Sequence, residues 1–413
     1  MQTRLTAAVL DTREGREADA ILRKCVHCGF CTATCPTYRL LGDELDGPRG
    51  RIYLIKEMLE GAGTSRKTQR HLDRCLTCRA CETTCPSGVR YGRLLEIGRH
   101  RIEQEVSRPL RERLARRALL AIVPHRRRFD ALIRLARLLR PLLPRALRRQ
   151  VTPGGRPLST LWPAARHGRR MLILEGCAQP VLAPDINLAA ARLLDRLGVS
   201  LVRVEDGCCG ALAQHLSAGN TALGQIRHNI DVWWPEIARG AQAILVTASG
   251  CGAMVRDYGR LLQDDPAYAA KAARVTELFR DLSEVIAQEL ASPDADLGWA
   301  TERNAKRRIA FHSPCTLQHG LKIRGVVEPL LARAGFTLTA VTDGHICCGS
   351  AGSYSLLQPA LAAQLRKDKL QALEADAPDV IATANIGCLM HLASGTERPV
   401  RHWIEELADG ITG

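Results

Sequence analysis

Short apolar runs alternate with amphipathic stretches through the second half of the chain. Runs such as Ala243–Thr247 and Val380–Thr383 are rich in β-branched residues and are typical of buried strands. Stretches such as Leu188–Leu197 and Val326–Ala334 carry apolar residues at helical spacing. Strands that alternate with helices predict parallel sheets covered by helices, so the expected fold class is α/β.

The second half also repeats itself at a spacing of roughly 138 residues. The run MLILEGC at 171–177 matches RIAFHSPC at 308–315, and AILVTASGC at 243–251 matches VIATANIGC at 380–388. Each of these apolar runs ends in a cysteine. Because the loops that follow parallel strands gather at one edge of a sheet, the cysteines of each repeat are expected to meet there. We therefore predict two repeated α/β domains, at 171–300 and 301–413.

The first 107 residues have a different pattern. Apolar side chains at Ile52, Ile55 and Leu59 have helical spacing, and this stretch lies between two groups of cysteines. The prediction is a mainly helical domain over residues 1–107, in which this helix excludes water from whatever the cysteines bind.

A basic segment at 108–170 separates the two halves. Between Arg108 and Gln150 there are fourteen arginines and two acidic residues, and a Pro- and Gly-containing stretch at 151–163 is interpreted as a linker. A helical wheel over His125–Arg140 separates arginines from apolar residues: Arg127, Arg134, Arg137 and Arg140 on one face, and Leu132, Leu135, Ala136 and Leu139 on the other. Two interpretations stay open, a peripheral contact with anionic lipid and a solvated helix that packs on a neighbouring domain.

Composition narrows the class of protein. The 413 residues include 58 Lys and Arg against 43 Asp and Glu, a net charge of +15, but only 4% aromatic residues, which argues against a nucleic-acid surface that stacks bases. No apolar run approaches the ~18 residues of a membrane-spanning helix, and the N-terminus lacks a signal-peptide core, so a cytoplasmic protein is expected. Sixteen cysteines in a reducing compartment indicate metal ligation or thiol chemistry.

Two copies of a C-x2-C-x2-C-x3-C-P motif dominate the N-terminal domain. This pattern is that of bacterial ferredoxins with two clusters, in which the fourth cysteine of each motif ligates the other cluster. The predicted ligands of cluster one are Cys25, Cys28, Cys31 and Cys85, and those of cluster two are Cys75, Cys78, Cys81 and Cys35. Zinc is the alternative, but zinc sites use two separated cysteine pairs. We expect two 4Fe-4S clusters.

Each C-terminal repeat carries a Cys-Cys-Gly motif between two further cysteines. The candidate metal ligands are Cys177, Cys208, Cys209 and Cys251 in the first repeat, and Cys315, Cys347, Cys348 and Cys388 in the second. Adjacent cysteines can reach one ligand only in a turn, which the following glycine permits. Four thiols could hold an additional cluster, hold a metal such as zinc, exchange disulfides, or lie inert in the core.

These motifs resemble those of a known family. The Cys-Cys-Gly spacing is similar to that of heterodisulfide reductase and of the iron–sulfur subunits of anaerobic glycerol-3-phosphate dehydrogenase. The N-terminal CVHCGFCTATCPTYRLLGDELDGPRGRIYLIKEMLEG resembles the iron–sulfur subunits of bacterial glycolate oxidases. Heterodisulfide reductase ends each repeat in Cys-x-x-Cys, whereas Met254 and His391 stand at the fifth cysteine positions here. His391 could still ligate through its imidazole, but Met254 is a poor substitute for a thiolate.

The resemblance implies an electron-transfer subunit of a hetero-oligomeric glycolate dehydrogenase. The sequence has no dinucleotide-binding fingerprint, so FAD is expected on partner subunits that oxidise glycolate to glyoxylate, with electrons passing to a membrane quinone. The chain alone is expected to be inactive on glycolate, with no catalytic residue and no nucleic-acid partner. The alternatives are the same subunit of a lactate or glycerol-3-phosphate dehydrogenase, or a thiol-disulfide enzyme like heterodisulfide reductase. A location on the cytoplasmic face of the inner membrane is part of this expectation.

Overall fold

The computed structural model describes residues 1–142, 162–291 and 297–411. They form an N-terminal helical module, a short basic helical segment and two α/β repeats in chain order. The expected α/β class with a mainly helical N-terminal domain is confirmed. Most of the predicted linker at 151–163 and the last arginines of the basic segment lie outside the described residues.

The N-terminal module is built from helices around a small apolar core. Its α-helices span Ala7–Leu10, Arg13–Lys24, Phe30–Ala33, Pro36–Leu41, Pro48–Leu59, Arg66–Asp73, Ala80–Thr84 and Tyr91–Glu105, with a 3-10 turn at Glu44–Asp46. Proline opens the helix at 48, where its missing N–H costs nothing. The predicted apolar stripe is buried, since Ile52, Ile55 and Leu59 face Leu94 and Leu95 in one core.

The basic segment forms two helices, Leu110–Ile122 and Arg126–Leu138, followed by a 3-10 turn at Arg140–Leu142. The second helix packs on the first repeat through one side, where Arg137 donates to the Val181 carbonyl at 3.5 Å. Its opposite side is exposed and carries both charged and apolar residues, including Arg127, Arg134, Leu135 and Leu138. Because basic and apolar residues share this exposed side, the predicted separation into a basic face and an apolar face is only partial. Arg137, which was predicted on the basic face, packs against the first repeat instead.

The first repeat is a parallel four-stranded sheet with helices around it. Its strands are β1 at Arg169–Ile173, β2 at Val199–Val202, β3 at Ile244–Val246 and β4 at Phe279–Asp281, in the order β2-β1-β3-β4. The register aligns Arg169 with Val199 and Leu172 with Ile244. The helices span Gln179–Leu182, Asp185–Arg196, Ala211–His215, Gly219–Ala238, Ser249–Arg256, Tyr258–Leu261, Ala269–Leu278 and Leu282–Glu289.

The second repeat has the same topology. Its strands are β5 at Arg308–His312, β6 at Thr337–Leu338, β7 at Val380–Thr383 and β8 at Val400–His402, in the parallel order β6-β5-β7-β8. Its helices span Thr301–Ala305, Val327–Arg333, Tyr354–Leu357, Pro359–Glu374, Ile386–Ala393 and Trp403–Asp409, with a π-helix at Thr316–Leu321. Because both sheets place their strands in equivalent order, the repeat seen in the sequence is a repeat of structure.

The two repeats share a continuous apolar core. Polar contacts cross between them where β3 and β7 end: the His402 imidazole bonds the Thr247 carbonyl at 2.9 Å, and the Gly250 N–H donates to the Asn385 side chain at 3.3 Å. Parallel strands with their carboxyl ends at this junction put the cysteine loops of both repeats on one side of the molecule.

The N-terminal module docks on both repeats through ion pairs. Arg79 lies 3.6 Å from Asp257 of the first repeat, and Arg39 lies 2.8 Å from Asp343 of the second. Across the ranges described above, every helix is too short or too polar to span a bilayer.

Candidate functional site

The first cysteine-lined cavity lies between the two ferredoxin-type motifs. Its wall includes five cysteines: Cys25, Cys28, Cys31, Cys81 and Cys85. It opens towards the surface, where Cys28 is exposed. The structure thus brings the first three cysteines of motif one together with the last cysteine of motif two.

The second cavity is smaller and more deeply placed. It is lined by Cys35, Cys75, Cys78 and Cys81. Pro48, Cys81 and Tyr91 border both cavities, so the two cavities are adjacent. Cys35 adjoins motif one in sequence but stands with the first three cysteines of motif two.

The two motifs use the same backbone turn. His27 and Thr77 both have φ of 56°, and Gly29 and Arg79 have φ of 85° and 59°. These left-handed residues turn the loop so that its backbone N–H groups point inward, as the N–H of Thr77 does toward Cys75 Sγ at 3.4 Å. A side chain as large as Arg79 in this region is strained, and the surrounding fold must hold it.

A buried cation lies beside the second cavity. The side chain of Arg51 is 1% exposed and bonds the His71 carbonyl at 2.7 Å and Thr37 at 3.1 Å. Burial opposes the charge of Arg51, yet the neighbouring Tyr91 and the anionic groups around it raise its pKa above its ordinary value. This fixed positive charge is paired with the buried Asp46 carboxylate at 3.3 Å and also lies near the thiols of Cys35 and Cys75. Arg51 could not be predicted from the sequence, because its role depends on tertiary burial.

Iron–sulfur clusters fit these cavities by donor chemistry. The residues present are soft thiols, which are the ligands that iron–sulfur clusters use. Burial raises the pKa of the Cys78 and Cys81 thiols well above the ordinary value, so a buried cationic group is needed to keep them as thiolates. Thiol chemistry and cavity depth therefore both favour a bound cluster over free cysteines.

The four cysteines of the first repeat meet after β1, β2 and β3. The Cys177 thiol donates to Cys208 Sγ at 3.5 Å, and Cys209 interacts with both Cys208 and Cys251. The hydrogen bond from Cys177 lowers the pKa of Cys208 below its ordinary value, which favours its thiolate. Gly210 follows in a left-handed conformation with φ of 93°, as the turn around adjacent cysteines requires.

The four cysteines of the second repeat are buried together. Cys315 Sγ lies 3.7 Å from Cys347 Sγ, and Cys348 interacts with Cys347 and Cys388. The hydrogen bond with Cys347 raises the pKa of Cys315 well above its ordinary value. The pKa of Cys348 is also raised: its hydrogen bond with Cys347 lowers it, but its hydrogen bond with Cys388 and burial outweigh that effect, in contrast to Cys208 of the first repeat.

The residues at the two fifth-cysteine positions do not join these groups. Met254 is buried in the core, where its methyl group lies 3.3 Å from the position that a Cβ on Gly210 would take. The imidazole of His391 bonds backbone groups, the Ala362 carbonyl at 3.2 Å and the backbone of Cys348, and no thiol. A different histidine, His312, stands next to Cys348 and Cys388 instead. His312 was not predicted as a ligand, because the first repeat has leucine at the matching position, Leu174.

The second repeat lies directly against the second cavity. Cys78 shares an apolar cluster with Cys315, Cys347 and Tyr354. Close by, the Thr83 hydroxyl bonds the His319 imidazole at 3.0 Å, which ties the motif-two helix to the π-helix. The second cavity and the second Cys-Cys-Gly site are therefore neighbours that share an apolar wall.

Comparisons with known proteins agree with this architecture. Residues 21–89 match the 4Fe-4S dicluster domain family, and residues 171–256 and 309–393 each match the Cys-Cys-Gly cysteine-rich domain family. The chain is 56% identical over 406 residues to the glycolate oxidase iron-sulfur subunit of Escherichia coli (strain K12), covering 98% of each chain. It is 31% identical to the probable glycolate oxidase iron-sulfur subunit of Bacillus subtilis (strain 168), covering 91% of this chain and 89% of that protein.

Two more distant similarities are informative. Lactate utilization protein A of an Exiguobacterium species is 27% identical over 57% of this chain and 95% of its own length. The crystal structure of a hypothetical protein from Helicobacter pylori superposes with a TM-score of 0.57, covering 98% of this chain and 76% of that one. At 10% identity the latter similarity concerns the fold alone.

Proposed function

Since the chain belongs to the glycolate oxidase iron–sulfur subunit family, we propose that it carries electrons from a flavin subunit that oxidises glycolate to glyoxylate toward a membrane quinone. The observation that supports this most directly is the pair of adjacent cavities lined by the cysteines of two ferredoxin-type motifs. The chain offers thiolates, but its sequence has no flavin-binding fingerprint. We therefore assign the removal of hydride from glycolate to a partner subunit.

We assign one 4Fe-4S cluster to each cavity. Cys25, Cys28, Cys31 and Cys85 hold the first cluster, and Cys35, Cys75, Cys78 and Cys81 hold the second. Such a cluster accepts and releases one electron at a time when it is bound. The protein contributes the thiolates, the inward-facing N–H groups, the exclusion of water and the positive charge of Arg51.

We place the contact with the flavin subunit beside the first cavity. Val26 and Phe30 flank the exposed Cys28 and are themselves 67% and 61% exposed. Exposed apolar residues beside an otherwise charged surface are typical of protein interfaces. A partner that covers them would approach the first cavity closely and would also shield it from water.

We propose a peripheral membrane contact through the helix Arg126–Leu138. Its exposed side combines Arg127 and Arg134 with Leu135 and Leu138, which suits the interface of an anionic bilayer. This surface would hold the complex on the cytoplasmic face of the inner membrane, near its quinone acceptor.

Anaerobic purification of the native complex tests this proposal. Flavin, iron and sulfide are quantified on the complex and on the separated chain, and glycolate-dependent reduction of a quinone analogue is recorded. We expect about eight iron atoms and no flavin on the chain if the Cys-Cys-Gly sites hold no iron, with activity only in the complex. Glycolate oxidation by the flavin-free chain would contradict the assignment.

Lactate is the second substrate to test in the same assay. The similarity to lactate utilization protein A favours including it, although that match covers only 57% of this chain. If the complex reduces quinone with lactate but not with glycolate, the chain is instead the iron–sulfur subunit of a lactate dehydrogenase. Turnover of a disulfide by the chain alone would instead support a thiol-disulfide enzyme.

A further inference from the structure

Three metal-ligand side chains of the second repeat converge in its core. One nitrogen of the His312 imidazole and the Sγ atoms of Cys348 and Cys388 all lie within 4.8 Å of one another, and all three residues are buried. They come from separate parts of the fold: His312 ends β5, Cys348 follows β6, and Cys388 lies in the helix after β7. Their meeting point is the carboxyl edge of the sheet, where parallel α/β sheets bind ligands.

His312 lacks the hydrogen bond that a buried imidazole needs. Its side chain is fully enclosed, and its Nε2 atom has no hydrogen-bond partner among the described residues. A buried polar atom without a partner is costly, so natural structures rarely keep one without a ligand. The unpartnered nitrogen and the two thiols beside it point to the same missing ligand.

The surroundings suit a cation bound by thiolates. The Asn385 side chain donates a hydrogen bond to Cys388 Sγ at 3.4 Å, which orients that sulfur and stabilises its charge. Nearby, Lys369 is only 3% exposed and bonds the Asp343 carbonyl at 2.8 Å. Its ammonium group lies close enough to Cys348 and Cys347 to offset negative charge on their sulfurs.

The first repeat lacks the same set. Leu174 stands where His312 does in the second repeat, and Ala248 stands where Asn385 does. Leu174 is 3% exposed and belongs to the core. The two repeats therefore share their cysteines but differ in the additional ligand and in the side chain that supports it.

We propose that the second repeat binds one Zn²⁺ ion through the imidazole of His312 and the thiolates of Cys348 and Cys388. One nitrogen and two sulfur ligands form a donor set that zinc uses, with a fourth position left open. An iron–sulfur cluster held by the four thiols of this repeat would leave the buried Nε2 atom of His312 unexplained. The ion would fix β5, the Cys-Cys-Gly turn and the helix Ile386–Ala393 to one another, close to the second ferredoxin-type cavity. This site does not depend on the proposed electron transfer from glycolate.

The test compares metal content in four forms of the full chain, purified anaerobically with zinc in the medium. We expect one zinc ion per chain in the wild type and in His402→Asn, almost none in His312→Ala, and recovery in His312→Cys. His402→Asn is the matched control, because His402 is also buried in this repeat but bonds the Thr247 carbonyl of the first repeat.

A second measurement tests the proposal even if His312→Ala fails to fold. Cobalt replaces zinc in the wild type and in His312→Cys, and the absorption of cobalt–thiolate bonds is recorded. We expect this absorption in both, and at higher intensity in His312→Cys because that variant adds a thiolate. An unchanged intensity would overturn the proposal, as would full zinc content in His312→Ala. Iron that disappears with His312 in place of zinc would also overturn it.

Discussion

Cys35 belongs to one motif in sequence and to the other cavity in space. Its Sγ lies on the wall of the second cavity, together with Cys75 and Cys78. We therefore predict that Cys35→Ser removes mainly the second cluster, which is about half of the bound iron, and leaves the first largely intact. Electron paramagnetic resonance of the reduced protein distinguishes the two clusters.

The matched control is Cys85→Ser, which should remove mainly the first cluster and leave the second largely intact. Cys85 is the last cysteine of motif two but lines the first cavity. If each variant loses the cluster of its own motif, the crossed assignment is wrong. Equal loss of both clusters in both variants would show that neither cluster persists without the other.

A second residue links stability to pH. His402 is fully buried, accepts from the Ile404 N–H at its Nδ1 and bonds the Thr247 carbonyl through Nε2, so the fold holds its neutral form. Burial lowers the pKa of His402 to about 4, against about 6.5 when unfolded. The stabilisation by neutral His402 is complete above about pH 6.5 and is lost as pH falls toward 4.

The predicted loss between about pH 7.5 and pH 5.5 is about 1.4 kcal/mol, because one pH unit below the unfolded pKa contributes that amount. The measurement is the free energy of unfolding in urea at both pH values, for the wild type and for His402→Asn. Asparagine can still cap the helix that begins at Trp403 but does not titrate. Identical pH dependence in the two proteins would refute this role for His402.

The residues of the site differ in how far the sequence could predict them. Cys25 to Cys35 are close in sequence and follow a fixed spacing, so local geometry alone predicts that they share a function. His312 is separated from Cys348 and Cys388 by strands and helices, and it has no counterpart in the first repeat. Arg51 likewise acquires its role only when the folded chain buries it.

At the scale of elements, the helix Arg126–Leu138 carries the prediction about membranes. Arg127 and Arg134 are exposed on it, whereas Arg137 is held against the first repeat. If each exposed arginine contributes about 1 kcal/mol at an anionic surface, replacing both with glutamine should weaken binding about 30-fold. Flotation with anionic vesicles at low salt measures this loss, and high salt should reproduce it in the wild type.

The control variant removes two positive charges from exposed positions outside this helix. Arg239 and Arg274 are exposed and paired with an acidic residue three positions away, as Arg134 is paired with Asp130 four positions earlier. Arg239→Gln with Arg274→Gln should leave flotation nearly unchanged. A loss as large in the control would mean that only net charge matters, and no loss in either would reject membrane contact by this helix.

Element prediction succeeded where pattern and burial agree. The run Val380–Thr383 is a strand with the bounds that the sequence indicated, because four apolar or β-branched residues are buried on both faces of a parallel sheet. The helix seen in Leu188–Leu197 begins earlier, at Asp185, since polar residues in its first turn carry no apolar signal. The π-helix Thr316–Leu321 was not predicted, because its extra residue per turn depends on contacts with the N-terminal module.

At the scale of the whole molecule, docking of the N-terminal module depends on few charges. Asp257 of the first repeat pairs with Arg79 and with Arg260, and these side chains are no more than 25% exposed. Asp257→Asn should lower the free energy of unfolding by about 2 kcal/mol, since it leaves a half-buried arginine without its partner. It should also increase cleavage between the module and the repeats in limited proteolysis.

The exposed pair Arg13–Asp264 provides the comparison. Both side chains are largely in solvent, so Asp264→Asn should change stability by less than about 1 kcal/mol. Equal effects of the two substitutions would mean that the Arg79–Asp257 pair is no more important than a surface contact. Retained resistance to protease in Asp257→Asn would show that apolar contacts hold the module by themselves.

The unequal depth of the two cysteine-lined cavities has a consequence for how the protein ages in air. Dissolved oxygen reaches the rim at Cys28, which is exposed, before it reaches the enclosed Cys78. Bleaching of the isolated chain should therefore have two phases, with the shallow cavity losing its iron first and the deep one surviving longer. A subunit that covers Val26 and Phe30 would shield the shallow cavity from oxygen. Assembly would therefore slow the loss of iron in addition to completing the electron-transfer pathway.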